Sequence, residues 1–454
     1  MLHRITKLRT MPHRTMTTKR PIQFRTALIA LLLFAFLQLA VQPLAADPIE
    51  FRQAVELALK HSGVMVAASA DRARAAARYR AEWYAYVPTV IFGSGLGYSF
   101  GQPVAIAGQA PSIFNITHNQ TLLNLATRDT IKAAHSDSLA ANIDYVDRTE
   151  QLILDVSLLY IELDSSQQRL AVAQQQKQAV DHALYIAQQR QQEGVGSLLD
   201  SKRAELDAAR VDFRIAELET AVDVLRERLG RIIGRVPSTL ATVAASIPNA
   251  PPVRAEDDLS SAALANSASV RVADEHVRAA KSRARAEHRL NYPSIDFAGQ
   301  YAEYATFNNY QQYYKTFSRH NYSFGLNVRI PIVNFSQNAR AAAADADAMH
   351  SEADAQAVRD QVATDAVRAQ RTIRQLQASI KVTRLEFEVA EANIDAVQLQ
   401  IQNGKANAHD QELARADVAN RQAALLLSQF EYLRAQLQLL RQTGELHEWA
   451  LGQN

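Results

Sequence analysis

The chain has 454 residues, room for two or more ordinary domains, with 49 basic and 47 acidic side chains and no cysteine. The absence of thiols excludes disulfides, thiolate metal sites, a cysteine nucleophile and an acylated lipoprotein N-terminus. The 12 histidines are scattered without a metal-protease pair, and no glycine-rich phosphate loop occurs, so the sequence reads as a non-enzyme with no cofactor.

Residues 1–46 read as an export signal. They hold seven Lys/Arg and no acid, then the apolar run Ala27 to Ala40, then small residues before Asp47. Fourteen apolar residues fall short of the ~20 that span a bilayer as a helix. Without those seven cations the chain has 42 basic against 47 acidic groups, a net of −5, so no nucleic-acid partner is expected.

Two copies of one plan follow: a first repeat over residues 47–235, a proline-rich linker over 236–258 and a second repeat over 259–454. Arg80 to Phe92 matches Arg285 to Phe297 at an offset of 205. Downstream the offset becomes 210, with pairs such as Asn124/Asn334, Gly194/Gly404, Asp200/Asp410 and Gly234/Gly444. The change of offset falls among the aromatic-rich segments, as a longer loop in the second copy produces.

In chain order, each copy opens with a shorter helix, the first over about Pro48 to Tyr86. Two strand segments come next. In the first copy Val90, Phe92, Leu96, Tyr98 and Phe100 alternate with small or polar residues. Phe114, Ile116 and Leu122 form a stripe broken by His118 and Gln120. In the second copy Ile295, Phe297 and Tyr301 alternate less regularly, whereas Tyr322 to Ile332 places an apolar residue at every even position. That last segment has the length and period of a membrane-spanning strand, ~9–11 residues. The connecting loops are Gly101 to Ser112 and the tyrosine-rich Thr306 to Phe317.

A long helix follows the strands in each copy, over about Thr127 to Gln192 and Gln337 to Gln402. Neither range contains proline or glycine. Apolar or small residues recur in steps of four and three from Val362 to Ile401, and likewise from Leu152 to Ala187, where Lys177 occupies one position of the stripe. A sustained period of 3.5 specifies a supercoiled seam. Glycine turns at Gly194–Gly196 and Gly404 then lead into return helices, the first over Ser197 to Arg235.

Four strands per chain cannot close a membrane barrel, whose smallest members have about eight, and an open edge in hydrocarbon leaves backbone groups unpaired. The barrel is therefore expected to be shared: two chains supply eight strands and an interior nearly filled by side chains, whereas three supply twelve and better suit a conduit. The predicted fold is mainly α with a small membrane β part: a duplicated helix–strand–strand–helix–helix plan in a trimeric 12-stranded β-barrel continuous with a long coiled-coil α-barrel.

These residues resemble the TolC-like outer-membrane factors, the outer membrane efflux protein family. The resemblance spans essentially the whole mature chain. It rests on the duplicated plan, on Tyr292 to Phe297 ending a helix, on Gly325 to Ala346, and on Arg190 to Ala209 at a hairpin tip. It implies a homotrimer in the outer membrane of a Gram-negative bacterium with a periplasmic helical extension. The implied role is a passive exit duct of a tripartite efflux pump or type I secretion system, docked to a periplasmic membrane-fusion adaptor and powered indirectly by an inner-membrane transporter. It also implies a pore gate at Asp410 and Asp200, and adaptor contacts at Arg190, Gly194, Ser197 and Gly404. The chain departs from the family in having Leu413 where a second acid is common and Ala406 where a basic residue can sit. A competing reading from another class is a soluble periplasmic coiled-coil scaffold whose hairpins are ordinary packing strands.

Overall fold

The computed structural model describes residues 47–95, 112–237, 240–252, 256–304, 318, 320–406 and 408–452. The export segment, the expected strand positions Leu96, Tyr98 and Phe100, and nearly all of both strand-connecting loops lie outside these residues. Residues 1–47 and 48–454 are separate units; the second carries the architecture.

Two helices dominate, α3 (Leu125–Gln192) and α7 (Phe335–Gln402), each of 68 residues. At ~1.5 Å per residue each is roughly 100 Å long. Both begin two residues before the sequence-based boundary, because an asparagine caps each of them. The Asn124 side chain accepts from the Ala126 and Thr127 amides at 3.0 and 3.3 Å, and Asn334 accepts from Gln337 at 3.1 Å. The heptad positions are buried or half-buried along both helices; most residues between them are exposed on α7, whereas α3 also buries Ile153, Leu154, Ser157, Tyr160, Ile161 and Asp164. Lys177 fits the seam because Asp181 and Asp212 bracket its ammonium at 2.5 and 3.0 Å. The hydrogen bond to Asp181, with help from Asp212, outweighs partial burial and holds that ammonium above the usual lysine range.

Shorter helices pair with the long ones in two tiers. On the strand side, α2 (Gly63–Trp83) and α6 (Ala268–Arg289) flank α3, and α6 also packs on α7. On the tip side, α4 (Leu198–Ile233) packs on α3, while α8 (Ala408–Thr443) packs on both α7 and α3. The expected first short helix is interrupted: α1 (Phe51–His61) stops at Ser62, whose hydroxyl caps α2 by accepting from Val64. A 3-10 turn over Tyr84–Tyr86 ends the segment.

The main core forms where the two tiers meet. Phe51 and Val55 of α1, Ile153, Val156, Tyr160 and Leu163 of α3, and Leu229 and Ile233 of α4 are buried there. Leu437 of α8 and Leu446 of α9 (Leu446–Leu451) complete the cluster. The linker contributes too. Its strand β4 (Leu240–Thr242) pairs with β1 (Asp47–Ile49), and Leu240 is buried. Tyr160 organises the polar part of this core: its hydroxyl donates to the Ile49 carbonyl at 2.7 Å and accepts from the Val243 amide at 2.7 Å. Burial pushes the phenol above its ordinary pKa. Phe51 stands edge-on to Tyr160 at 5.5 Å and to Trp449 at 5.2 Å. In the second repeat, Leu259 of α5 (Glu256–Asn266), Ile373 of α7 and Leu439 of α8 form a smaller counterpart.

The remaining strands form one antiparallel sheet in the order β2 (Thr89–Gly95), β3 (Ser112–Leu123), β5 (Ser294–Tyr304), β6 (His320–Arg329). The final strand stops at Arg329 instead of Ile332, since Pro331 has no amide to give to a ladder. Among the described residues, both outer strands, β2 and β6, are unpaired along one edge. Among the described residues no helix is long and apolar enough to cross a membrane.

Replacing Tyr160 by Phe leaves the Val243 amide and Ile49 carbonyl without their buried partner. A loss of ~1–3 kcal/mol is expected in denaturant unfolding. Tyr185→Phe, at an exposed position of the same helix, serves as the control and is expected to leave the midpoint unchanged.

Candidate functional site

Function at the two ends of the helices depends on different chemistry. At the tip end, α3 turns into α4 through a glycine in the left-handed region, Gly194 at φ 75°, and α7 turns into α8 through Gly404 at φ 69°. The amides of Val195 and Gly196 both donate to the Arg190 carbonyl, at 3.0 and 2.8 Å, so Arg190 is the backbone anchor of the first turn. Gly196 sits so close to that turn that a Cβ there would approach Arg190 backbone at 3.0 Å. Ser197 caps α4 by accepting from the Asp200 amide at 3.1 Å, and its hydroxyl donates to the Asp200 carboxylate at 2.8 Å.

All four sequence-predicted contact residues are exposed, Arg190 in the last turn of α3 and Gly194, Ser197 and Gly404 in the connecting turns. Asp200 and Asp410 each lie in the first turn of a return helix, 210 positions apart, with Asp200 exposed and Asp410 half-buried. The sequence reading missed the apolar part of the first tip. Val195, Leu198 and Leu199 are all exposed there.

It also missed the joint between the two hairpins, which lies above the tips. Gln176 of α3 donates to the Ala416 carbonyl of α8 at 3.2 Å and to Asn420 at 3.4 Å. Arg214 of α4 reaches the same Asn420 side chain. Nearer the tip, buried Glu412 sits 3.5 Å from the His182 ring and 2.9 Å from Arg415. One Glu412 oxygen is buried without a hydrogen bond. Single glutamines, asparagines and glutamates of this kind leave no pattern in a sequence, because each helix shows only half of the pair.

At the strand end, register defines two faces. Val90, Phe92, Phe114, Ile116, Phe297, Tyr301, Tyr322, Phe324, Leu326 and Val328 share one face. Thr89, Asn115, Thr117, Asn119, Thr121, Asp296, Gln300, Asn321, Ser323 and Asn327 share the other. The apolar face is highly exposed in the single chain, with Phe324 at 82%. Its rings contact across strands: Phe92 on Phe114 at 5.8 Å, Phe114 on Tyr301 at 5.6 Å, Tyr301 on Tyr322 at 4.9 Å. The two residues that break the β3 stripe are accommodated locally. His118 lies edge-on to Phe297 at 5.3 Å, and Gln120 donates back to the Tyr86 carbonyl at 3.3 Å. On the polar face Thr121 donates to Asp296 at 2.9 Å.

Comparison with known proteins covers both repeats. The family model described as outer membrane efflux protein matches residues 54–235 and 259–445. Among solved structures, the outer-membrane channel OprN is similar at 18% identity and a TM-score of 0.72, over 88% of this chain and 90% of that one. The outer membrane protein VceC from Vibrio cholerae is similar at 17% identity and a TM-score of 0.70, over 88% and 96%. The MtrE outer membrane channel of Neisseria gonorrhoeae, in its open state, gives 17% identity and 0.70 over 89% of each. No curated protein sequence matches the chain.

The two faces of β6 make a direct test. Leu326→Lys is expected to weaken folding into phosphatidylcholine vesicles by ~2–4 kcal/mol, whereas Asn327→Lys on the opposite face is expected to be nearly neutral. Equal effects of the two substitutions would contradict the assignment of the faces.

Proposed function

Since the chain belongs to the outer membrane efflux protein family, we propose that it is the exit duct of a tripartite efflux pump, three copies closing into one tube. The observation that carries this reading is the sheet: an apolar face of membrane-spanning height whose two edge strands have no partner among the described residues. Unpaired strand edges in hydrocarbon cost several kcal/mol per group. β2 and β6 run in opposite directions, so β6 of one copy can continue the antiparallel ladder onto β2 of the next. Three copies give twelve strands. Ten residues of β6, tilted, span an apolar band of about 25 Å.

The helices support the same assembly through their internal symmetry. Inside the chain, α8 lies in the groove of α3 with Asn420 opposite Gln176 and Glu412 opposite His182. Moving that contact by the repeat offset of 210 places α4 of one copy against α7 of the next, with Arg210 opposite Glu386. The residues on those faces fit such a seam. Leu199, Leu206 and Phe213 are exposed on α4 at seven-residue spacing, and Val382, Leu385, Val389 and Leu399 are exposed on α7. The shift brings Leu206 beside Val389 and Phe213 beside Val382.

At the tips, Asp410 from three copies forms a ring of carboxylates, with Asp200 on the adjoining hairpin. Like charges around a constriction favour cations. With Leu413 and Ala406 beside it, this gate depends on packing more than on a second layer of charge. Arg190, Gly194, Ser197 and Gly404, together with the exposed Val195, Leu198 and Leu199, present the surface for a periplasmic adaptor. Residues 1–46 direct export and are removed.

Two measurements bear on this. A Leu206→Cys/Val389→Cys variant, oxidised in the membrane, is expected to give covalent trimers on denaturing gels, whereas monomers alone would refute the seam. In planar bilayers, Asp410→Asn is expected to move the reversal potential under a KCl gradient toward zero; an unmoved potential removes Asp410 from the ring.

A further inference from the structure

Between α2, α3 and α6, close below the strands, lies a cleft of about 500 Å³. Lys132 and His135 of α3 line it from one side and Arg278, Lys281 and Arg285 of α6 from the other, with Tyr79 of α2 as a wall. The α6 residues recur at three- and four-residue steps, so one face of the helix presents all three cations. No carboxylate belongs to the lining. The opposite side of the same helix layer differs: there Asp71, Asp137 and Asp144 balance Arg74, Arg78 and Arg283. The excess of positive charge is therefore confined to one side.

Carboxylates outside the lining neutralise these cations only in part. The Lys132 ammonium is 3.5 Å from Asp129, but Asp129 is fully buried and already holds Arg289 at 2.7 Å. Arg278 pairs with Glu275, and Lys281 with Glu352. Arg285 donates to the Ser282 hydroxyl at 2.7 Å, a neutral group. Ser136 and Ser282, both buried, lie at the floor. His135 stands edge-on to Tyr79 at 5.1 Å, which fixes the aromatic wall.

We propose that this cleft binds a phosphate-bearing organic anion. Guanidinium forks from Arg278 and Arg285 suit the oxygens of a phosphate, and the Lys132 and Lys281 ammonium groups add point charges from the two walls. Tyr79 and Ile131 give the organic part an apolar surface. The phosphate belongs either to a soluble compound or to a lipid headgroup, since Arg285 lies one turn from the end of α6 nearest the sheet. All lining residues come from one chain.

The test is calorimetric titration of the purified full-length protein in neutral detergent with 2-naphthyl phosphate, with 2-naphthol as the uncharged comparator. Binding at least tenfold tighter for the phosphate is expected, lost at least tenfold in Arg278→Gln/Arg285→Gln and kept in Arg283→Gln, which alters the opposite side. Retention of phosphatidylglycerol over phosphatidylcholine in native mass spectrometry, with displacement of 2-naphthyl phosphate, identifies a headgroup. Failure to displace identifies a soluble anion. Equal binding of naphthol and naphthyl phosphate, or no difference between wild type and the double variant in either assay, overturns the proposal.

Discussion

A backbone amide without a partner is tolerable in water and costly in hydrocarbon, and that constraint organises this protein. Four strands with one apolar face cannot remain a flat ribbon in a membrane. In the proposed assembly the sheet meets copies of itself, and the helices that continue from each strand are carried into a ring. Their lengths, their seams and the placement of their turns follow from that closure.

The duplication makes the closure economical. α3 and α7 have equal length, yet α3 buries twenty residues within the chain and α7 eight. The difference lies mainly between Leu152 and Ser166, where α1, α4, α8, α9 and the linker complete the main core, and from Ala173 to Ala187, where α4 and α8 cover α3. In the proposed assembly the contact between α8 and α3 inside the chain has a counterpart between α4 and α7 of neighbouring copies. The core at the junction of the two tiers has another task. Phe51, Tyr160 and Trp449 bind the terminal helices and the linker to α3 where the shorter helices end and begin.

Much of this was legible in the sequence because it depends on repetition. Heptads from Val362 to Ile401, long ranges free of glycine and proline, and two glycine turns 210 positions apart prescribed the helices and hairpins. The alternation from Tyr322 onward prescribed a strand. What escaped was local or reciprocal. Asn124 and Asn334 were visible as a repeat pair, but not as the caps that start both long helices early. Pro331 shortened β6. The polar joint at Gln176, Glu412 and Asn420 needed two helices in hand at once, and the linker showed its prolines but not that Leu240 is buried. The tip residues were easier, since glycine at positive φ and a capping serine have short-range signatures.

The two seams differ in the size of what fills them. Inside the chain Ala416 and Ala423 meet α3, whereas the corresponding places on α4 hold Leu206 and Phe213. A groove that accepts a methyl group has no room for a benzyl ring without displacing its walls. The halves of this polypeptide are thus no longer interchangeable. In the proposed assembly, side-chain volume therefore tells the seam within one chain from the seam between chains.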